Sequence, residues 1–427
     1  MKYNKWTVAL AAVGVVSLAS AAKAEEKASP VMTALSSTTI SGYVDTSAEW
    51  NFGTGNANLP PYKFGGISKA DGFNLDVVQL RVEKPLDEQD WAAGYRADFW
   101  FGPDANALGT TSGGNNPVTG ANTSDFAIRQ AYVALRAPVG TGLDFKMGVF
   151  DSIIGYESIE AGSNPNFTRS YGNTIEPTTH TGLLASYRFC DCFSASAGVA
   201  DTVGPTINGR AFQTPTAPYN TKAESYKTYM GSIALTAPDS WGFLSGSTFY
   251  SGIVAGYNGN VTGVDVVGNP TTVGNQLNYY AGLTVATPVT GLRLGAAFDL
   301  LNVYEASGQT MAVSGYASYQ ATEKLSFHAR GEFLKDTQGV LLHDATRVEI
   351  LDDGTRVQVD IPNSNPSKIL ALTATVQYDL WKNVISRLEL RWDHSLTDTP
   401  TFGGSDALGR PTADNAWMLA ANVIYKF

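Results

Sequence analysis

The chain closes on Trp417-Met418-Leu419-Ala420-Ala421-Asn422-Val423-Ile424-Tyr425-Lys426-Phe427. Counting back from the end, every second residue is apolar: Phe427, Tyr425, Val423, Ala421, Leu419 and Trp417. A period of two marks one face of a β-strand. The stretch has the length that a tilted strand needs to cross a bilayer, about 9–11 residues.

The other end of the sequence points the same way. Lys2 and Lys5 precede an apolar run from Trp6 to Ala19, and Ala22-Lys23-Ala24 offers a small-x-small cleavage site before Glu25. Residues 1–24 therefore read as a secretory signal peptide, with an N-terminal anchor helix as the alternative. Residues 25–37 read as a flexible lead and 38–427 as one domain. No linker, low-complexity tract or shift of composition divides that domain. Past the signal no apolar run approaches the roughly 18 residues of a spanning helix. Glycine (43) and the aromatics (8 Trp, 20 Tyr, 19 Phe) are abundant. Removing Lys2, Lys5 and Lys23 with the signal takes the formal charge from −10 to −13, which argues against a nucleic-acid partner and weakly favours cations.

Alternating segments recur at 38–52, 72–84, 90–102, 125–137, 142–151, 178–190, 192–201, 225–237, 241–254, 276–287, 291–302, 309–321, 324–336, 366–380, 383–395 and 413–427. They predict sixteen strands, an even number. The links at Pro85–Gln89, Pro138–Thr141, Asp191, Pro238–Ser240, Pro288–Thr290, Thr322–Glu323 and Trp381–Lys382 are short. Those between them are mostly long: 53–71, 103–124, 152–177, 202–224, 255–275, 337–365 and 396–412, with 303–308 as a short exception. Short turns on one rim and long loops on the other are the layout of a transmembrane up-and-down antiparallel barrel with periplasmic turns and extracellular loops.

The two faces of the strands identify their solvents. Leu388, Leu390 and Trp392 alternate with Arg387, Glu389, Arg391 and Asp393, and Val78, Leu80 and Val82 with Gln79, Arg81 and Glu83. The same holds for Ala93, Tyr95, Ala97 and Phe99 against Gly94, Arg96 and Asp98, and for Leu325, Phe327, Ala329 and Phe333 against His328, Arg330 and Glu332. A basic residue facing lipid at the midplane costs about 2–4 kcal/mol, so the charged face must line water inside a wide barrel. Tyr187, Phe189, Trp241, Phe243, Tyr378, Trp381, Tyr425 and Phe427 are expected at the short-turn rim. Trp50, Phe52, Phe99, Phe101, Phe249, Phe298 and Trp392 are expected at the other, forming two interfacial girdles.

No enzymatic motif stands out: G-x-S-x-G, H-E-x-x-H, a Walker loop and a nucleotide fingerprint are all missing. His180, His328, His343 and His394 are scattered, and no cofactor or metal is expected. Cys190 and Cys192 lie one residue apart in a tight turn, where a bridge would be strained and two thiols make a poor metal site. They read as an incidental turn or a local disulfide. The segment from Asp151 to Gly172 is the candidate for specificity. Ile153, Ile154, Ile159 and Phe167 are too apolar for a purely exposed loop. A loop folded into the lumen would bury them on the wall and bring Glu157, Glu160 and Arg169 to a constriction, although packing among extracellular loops is the alternative. Arg81, Arg96, Asp98, Lys146, Arg387, Glu389, Arg391 and Asp393 are expected on the pore wall. The segment Arg347–Ile361 alternates around Asp353-Gly354 and predicts an extracellular hairpin.

Several short stretches carry a family resemblance. They are Ser41-Gly42-Tyr43-Val44-Asp45, Arg129-Gln130-Ala131-Tyr132-Val133, Gly155-Tyr156-Glu157, Asn166-Phe167-Thr168-Arg169-Ser170-Tyr171, and Tyr425 with the terminal Phe427. On these the mature chain resembles bacterial outer-membrane porins, and within them the β-barrel porin family described as OmpL-like. The resemblance implies a passive channel for small hydrophilic solutes and ions in the outer membrane of a diderm bacterium. It also implies an assembly machinery that reads Tyr425 and Phe427. A homotrimer is the usual state of a sixteen-stranded general porin, but no trimer interface is legible. The competing functions are a substrate-specific channel, a plugged barrel acting as adhesin or structural protein, and an outer-membrane enzyme.

Overall fold

The computed structural model describes residues 38–53, 55–110, 125–211, 225–257, 275–304, 308–342, 346–350, 356–360, 368–397, 399–407 and 409–427. The expected signal peptide and lead, His343, and the Asp353-Gly354 turn lie outside these residues. The strands are β1 (Thr39–Phe52), β2 (Gly72–Lys84), β3 (Ala93–Phe101), β4 (Phe126–Ala137), β5 (Leu143–Asp151), β6 (Thr179–Cys190), β7 (Phe193–Ala200), β8 (Thr228–Thr236), β9 (Thr248–Tyr257), β10 (Asn275–Ala286), β11 (Leu292–Val303), β12 (Thr310–Gln320), β13 (Leu325–Asp336), β14 (Thr346–Ile350), β15 (Arg356–Asp360), β16 (Lys368–Tyr378), β17 (Val384–Ser395), β18 (Phe402–Ser405), β19 (Pro411–Ala413) and β20 (Asn415–Lys426). Two short helices, α1 (Pro103–Leu108) and α2 (Tyr171–Ile175), sit in connections. No helix among the described residues is long and apolar enough to cross a membrane.

Sixteen strands form one closed antiparallel barrel, each paired with its neighbour in sequence; β14–β15 and β18–β19 are separate two-stranded sheets. The β14–β15 pair, with Thr346 opposite Asp360, is the hairpin expected in the 337–365 loop. Closure joins the ends of the chain. Along β1 and β20 the register runs from Tyr43 opposite Lys426 to Phe52 opposite Trp417. Phe427 then exchanges both backbone hydrogen bonds with Gly42, each 3.0 Å. Without this seam two strands would present unpaired N–H and C=O groups to lipid, which is why only closed barrels span membranes as sheets.

Burial is inverted relative to a water-soluble protein. On β17, Leu388 and Leu390 are 51% and 42% exposed, whereas Glu389 and Arg391, which alternate with them, are 0% exposed. A buried charge and an exposed aliphatic are the informative observations in any fold, and here they repeat along the strand with period two.

The ninth strand differs from expectation. It starts at Thr248, and Asp239–Leu244 form 3₁₀ turns broken at Gly242, whose φ is 63°. Trp241 and Phe243 therefore project from the turn itself, both exposed. The later start also moves Phe249 to the short-turn rim, where it pairs with Leu235 and Leu283. Apolar residues in an interfacial turn had mimicked strand alternation. Cys190 and Cys192 are free and exposed.

Gly42 sits where the seam allows no side chain: a Cβ there would lie 2.7 Å from the Phe427 ring. Gly42→Val should therefore lower the folded, heat-modifiable fraction several-fold after refolding, as read by gel mobility. Valine at the open, outward-facing position Gly315 should not.

Candidate functional site

The connection from β5 to β6 carries the predicted charges. It begins with apolar contacts. Ile153 and Ile154 join a buried cluster with Phe150, Leu184, Met230 and Val254, and the Tyr250 hydroxyl donates to the Ile153 carbonyl. Tyr156 stacks on Tyr316 with ring centroids 4.1 Å apart. Ile159 and Ala161 pack in a second cluster with Tyr43, Ile385 and Ile424. Tyr171 and Ile175 of α2 pack in a third with Leu301, Leu334 and Ile369. Ser170 caps α2 by accepting from the Asn173 N–H at 3.0 Å.

Between these apolar anchors the charges pair with inward-facing side chains of the strands. Glu160 meets three guanidinium groups: Arg81 of β2, Arg96 of β3 at 3.1 Å and Arg129 of β4 at 3.1 Å. Asp98 holds the same three from below, with Arg81 at 2.9 Å, Arg96 at 2.7 Å and Arg129 at 2.6 Å. Arg129 also pairs with Asp151. Burial works against a charged Glu160, but Arg81, Arg129 and Arg96 together hold its pKa below the ordinary carboxylate range.

The second group lies on β13, β16 and β17. Arg330 donates to Glu157 at 2.9 Å and to the Thr168 carbonyl at 2.7 Å. Glu157 also accepts the Ser170 N–H at 2.8 Å. Glu389 accepts from the Phe167 N–H (2.6 Å), the Thr168 N–H (2.9 Å) and the Thr168 hydroxyl (2.6 Å). Glu332 accepts the Tyr171 N–H at 2.8 Å, and Asp393 the Tyr171 hydroxyl at 2.7 Å. Arg387 donates to the Ala161 and Asn164 carbonyls, and Arg391 to the Arg169 carbonyl. The wall thus supplies both signs. Carboxylates take the segment's N–H groups, and guanidiniums take its carbonyls.

Arg169 itself turns back on the segment, donating to the Ile159 carbonyl at 2.9 Å, with its guanidinium 5.6 Å from the centre of the Phe64 ring. Phe64 belongs to the 53–71 connection, which reaches the same place. Its neighbour Lys63 donates to the carbonyls of Asn173 (2.6 Å) and Glu176 (3.3 Å). Burial lowers the Lys63 pKa to about 8, more than the nearby Glu176 carboxylate restores.

Of the residues singled out in sequence, Glu157, Glu160 and Arg169 sit on one segment and contact it or the wall. Arg81, Arg96, Asp98, Arg387, Glu389, Arg391 and Asp393 converge on that segment. Lys146 does not join them; its ammonium lies 5.1 Å from the centre of the Tyr132 ring. Arg129, Asp151, Arg330, Glu332 and Lys63 are central to the arrangement but were not among the expected site residues. Arg129, Arg330 and Glu332 share the inward parity of their strands, which was the available signal. Lys63 had none.

Comparison with known proteins bears on this geometry. The sequence profile of the family described as putative beta-barrel porin-2, OmpL-like, matches residues 37–427. No curated protein matches the sequence significantly. Among solved structures, the chain is similar to OprB of Pseudomonas putida, with a TM-score of 0.54 and 13% identity over 92% of this chain and 94% of that one. The outer-membrane channel DcaP of Acinetobacter baumannii gives a TM-score of 0.53 and 14% identity over 91% and 97%. The anion-selective porin from Comamonas acidovorans gives 0.52 and 12% over 92% and 99%. At these identities the likeness establishes the fold, a sixteen-stranded porin barrel. The family match covers the whole barrel: the chain is an outer-membrane porin of the putative beta-barrel porin-2, OmpL-like family.

Proposed function

We propose that the chain is a passive, water-filled diffusion channel for small hydrophilic solutes and ions, narrowed where residues 152–177 fold into its lumen. The observation that carries this reading is the paired charge ladder on the inward faces of the strands, which meets the segment from more than one side of the barrel. Permeation runs down a gradient, with exclusion set by radius and bias set by wall charge.

The two charge groups divide the work. On the β13–β17 side, Arg330, Glu332 and Arg391 have no solvent exposure, so they anchor the segment. On the β2–β3 side, the side chains of Arg81, Arg96 and Glu160 keep 17%, 14% and 15% of theirs. Solutes pass along this second side, and Glu160 against the arginines sets the transverse field there. Glu157 and Arg169 act by holding the segment in position. Export by a signal peptide cleaved near Ala24, and recognition of Tyr425 and Phe427 during barrel assembly, belong to the same proposal. The plugged-barrel alternative draws on the fully buried anchors. Planar-bilayer recording of the purified mature protein decides between them: stable steps in KCl support the channel, and silence from a folded barrel supports the plug.

Neutralising Glu157 and Glu160 together should raise the anion-to-cation permeability ratio about twofold, the scale of one screened charge near the path. Glu160→Gln alone should give most of that shift, as measured by reversal potential in asymmetric KCl. Arg330→Met leaves Glu157 and Glu332 without their shared partner, a loss of about 3–5 kcal/mol for a buried pair. Backbone N–H groups between residues 157 and 176 should then exchange with deuterium on the order of a hundredfold faster. The proton on Lys63 should leave between pH 7 and 9, because its pKa lies near 8 rather than at the ordinary 10.5. Selectivity should move toward cations over that range in the wild type, and Lys63→Met should show the shifted value already at pH 7.

A further inference from the structure

Two lysines stand directly opposite each other on the lipid side of the wall. Lys335 of β13 pairs in register with Lys368 of β16, at the long-loop end of both strands. Lys335 shares a face with Phe327 and Phe333, and Lys368 with Leu372 and Val376; the alternate positions, Ser326 to Asp336 and Ile369 to Thr375, are buried. Directly opposite residues of an antiparallel pair hold their Cβ atoms about 4.5–5.5 Å apart, and like charges there are destabilising. Elsewhere in the barrel such positions carry opposite signs: Arg81 faces Asp98, and Arg136 faces Asp144.

Nothing in the protein offsets this pair. Neither ammonium makes an ion pair or a hydrogen bond among the described residues. The adjacent carboxylate, Asp336, points inward and is taken by the Thr310 hydroxyl and the N–H groups of Val340, Leu341 and Leu342. Aromatic rings mark the height of the pair. Trp392 stands opposite Leu372 on one side and Trp417 on the other, and the two indoles stack with centroids 5.7 Å apart. Tryptophans on a lipid-facing surface sit at the membrane–water interface. Lys368 lies four residues beyond Leu372, about 13 Å further out, where headgroups begin. Below the lysines, Gly315 and Gly331 face each other across β12 and β13, and a Cβ added at Gly315 would meet no atom within 4 Å. The two glycines leave a shallow trough beside the exposed Val313 and Leu372.

Two like charges held side by side above an apolar surface have a defined complement: one dianionic group that bridges them, attached to hydrocarbon. A phosphate monoester carries about −1.5 to −2 charges near neutral pH, which matches two ammonium groups. Each ammonium can reach it by a charge-assisted hydrogen bond while the lysine stem stays on the apolar wall. We propose that Lys335 and Lys368 form a binding site for the phosphate monoester of a lipid headgroup, whose acyl chains lie along Val313, Leu372 and the trough at Gly315 and Gly331. The site is outside the lumen and does not depend on whether the channel conducts.

The test uses the full mature barrel in a neutral detergent and counts bound lipid by native mass spectrometry. Dioleoyl phosphatidic acid is the probe, dioleoyl phosphatidylcholine the zwitterionic control and inorganic phosphate the competitor. The expected result is saturable retention of phosphatidic acid in preference to phosphatidylcholine. Replacing both lysines, Lys335→Gln with Lys368→Gln, should weaken it about thirtyfold, since each lysine beside a charged lipid surface contributes roughly fivefold. Lys84→Gln removes a lipid-facing lysine at the short-turn rim, opposite Tyr95, and should leave this binding unchanged. If the double variant fails to reach its heat-modifiable form, each single variant should weaken binding about fivefold. Equal retention by wild type and the lysine variants, or no preference over phosphatidylcholine, would overturn the site. Displacement of the lipid by inorganic phosphate at the lipid's own concentration would assign the lysines to the free ion and overturn the lipid.

Discussion

The guanidinium groups of Arg330 and Arg391 have no access to water, and everything at the centre of this barrel follows from how they are satisfied. An isolated buried charge costs several kcal/mol after relaxation, so a fully enclosed arginine persists only where carboxylates and carbonyls surround it. Here Glu332 and Asp393 come from the barrel wall, and Glu157 with the Thr168 and Arg169 carbonyls from the segment. Neither part is complete alone. Lifting the segment away would strand charges on β13 and β17, and a wall without those charges would leave the segment's N–H and carbonyl groups unpaired. The connection between β5 and β6 is consequently as much a part of the barrel as the strands are.

The pairing also explains the placement of apolar residues that would otherwise look wasteful in a loop. Polar contacts exchange one set of hydrogen bonds for another and contribute about 1 kcal/mol each. Ile153, Ile154, Ile159 and Ile175 add burial that water cannot match, at about 25 cal/mol per Å² of apolar surface. The three apolar clusters lie at separate points along the segment. They fix its path, and the charges between them fix its register.

Much of this was legible in the residues. Strand number and facing were readable because lipid and water impose opposite demands on alternate positions; Arg387 to Asp393 on β17 is the clearest case. The convergence of Arg81, Arg96 and Asp98 with Glu160 was only half legible. Each residue could be assigned to a face, but Arg81 and Glu160 are 79 positions apart and nothing local announces the pair. Arg330 and Glu157 are 173 apart, and Arg330 read simply as one more lumen residue. Lys63 lies in a connection with no periodicity, so its contact with α2 could not be anticipated. The ninth strand was misread for a different reason: Trp241 and Phe243 obey the preference of aromatics for an interface, and in a turn that preference imitates the period of a strand.

The connection 53–71 is held at two levels. Asn58 pairs with Gly403 through both backbone hydrogen bonds, and Lys63 is tied to the carbonyls of Asn173 and Glu176 below. Outer loops of a barrel usually diverge freely among relatives, because little depends on them. This one cannot diverge alone. Losing the Asn58 amide releases the Gly403 and Gly404 carbonyls, and losing the Lys63 ammonium releases those of Asn173 and Glu176. Three stretches far apart in the chain are therefore tied to one another, so that displacing one of them disturbs the contacts of the other two.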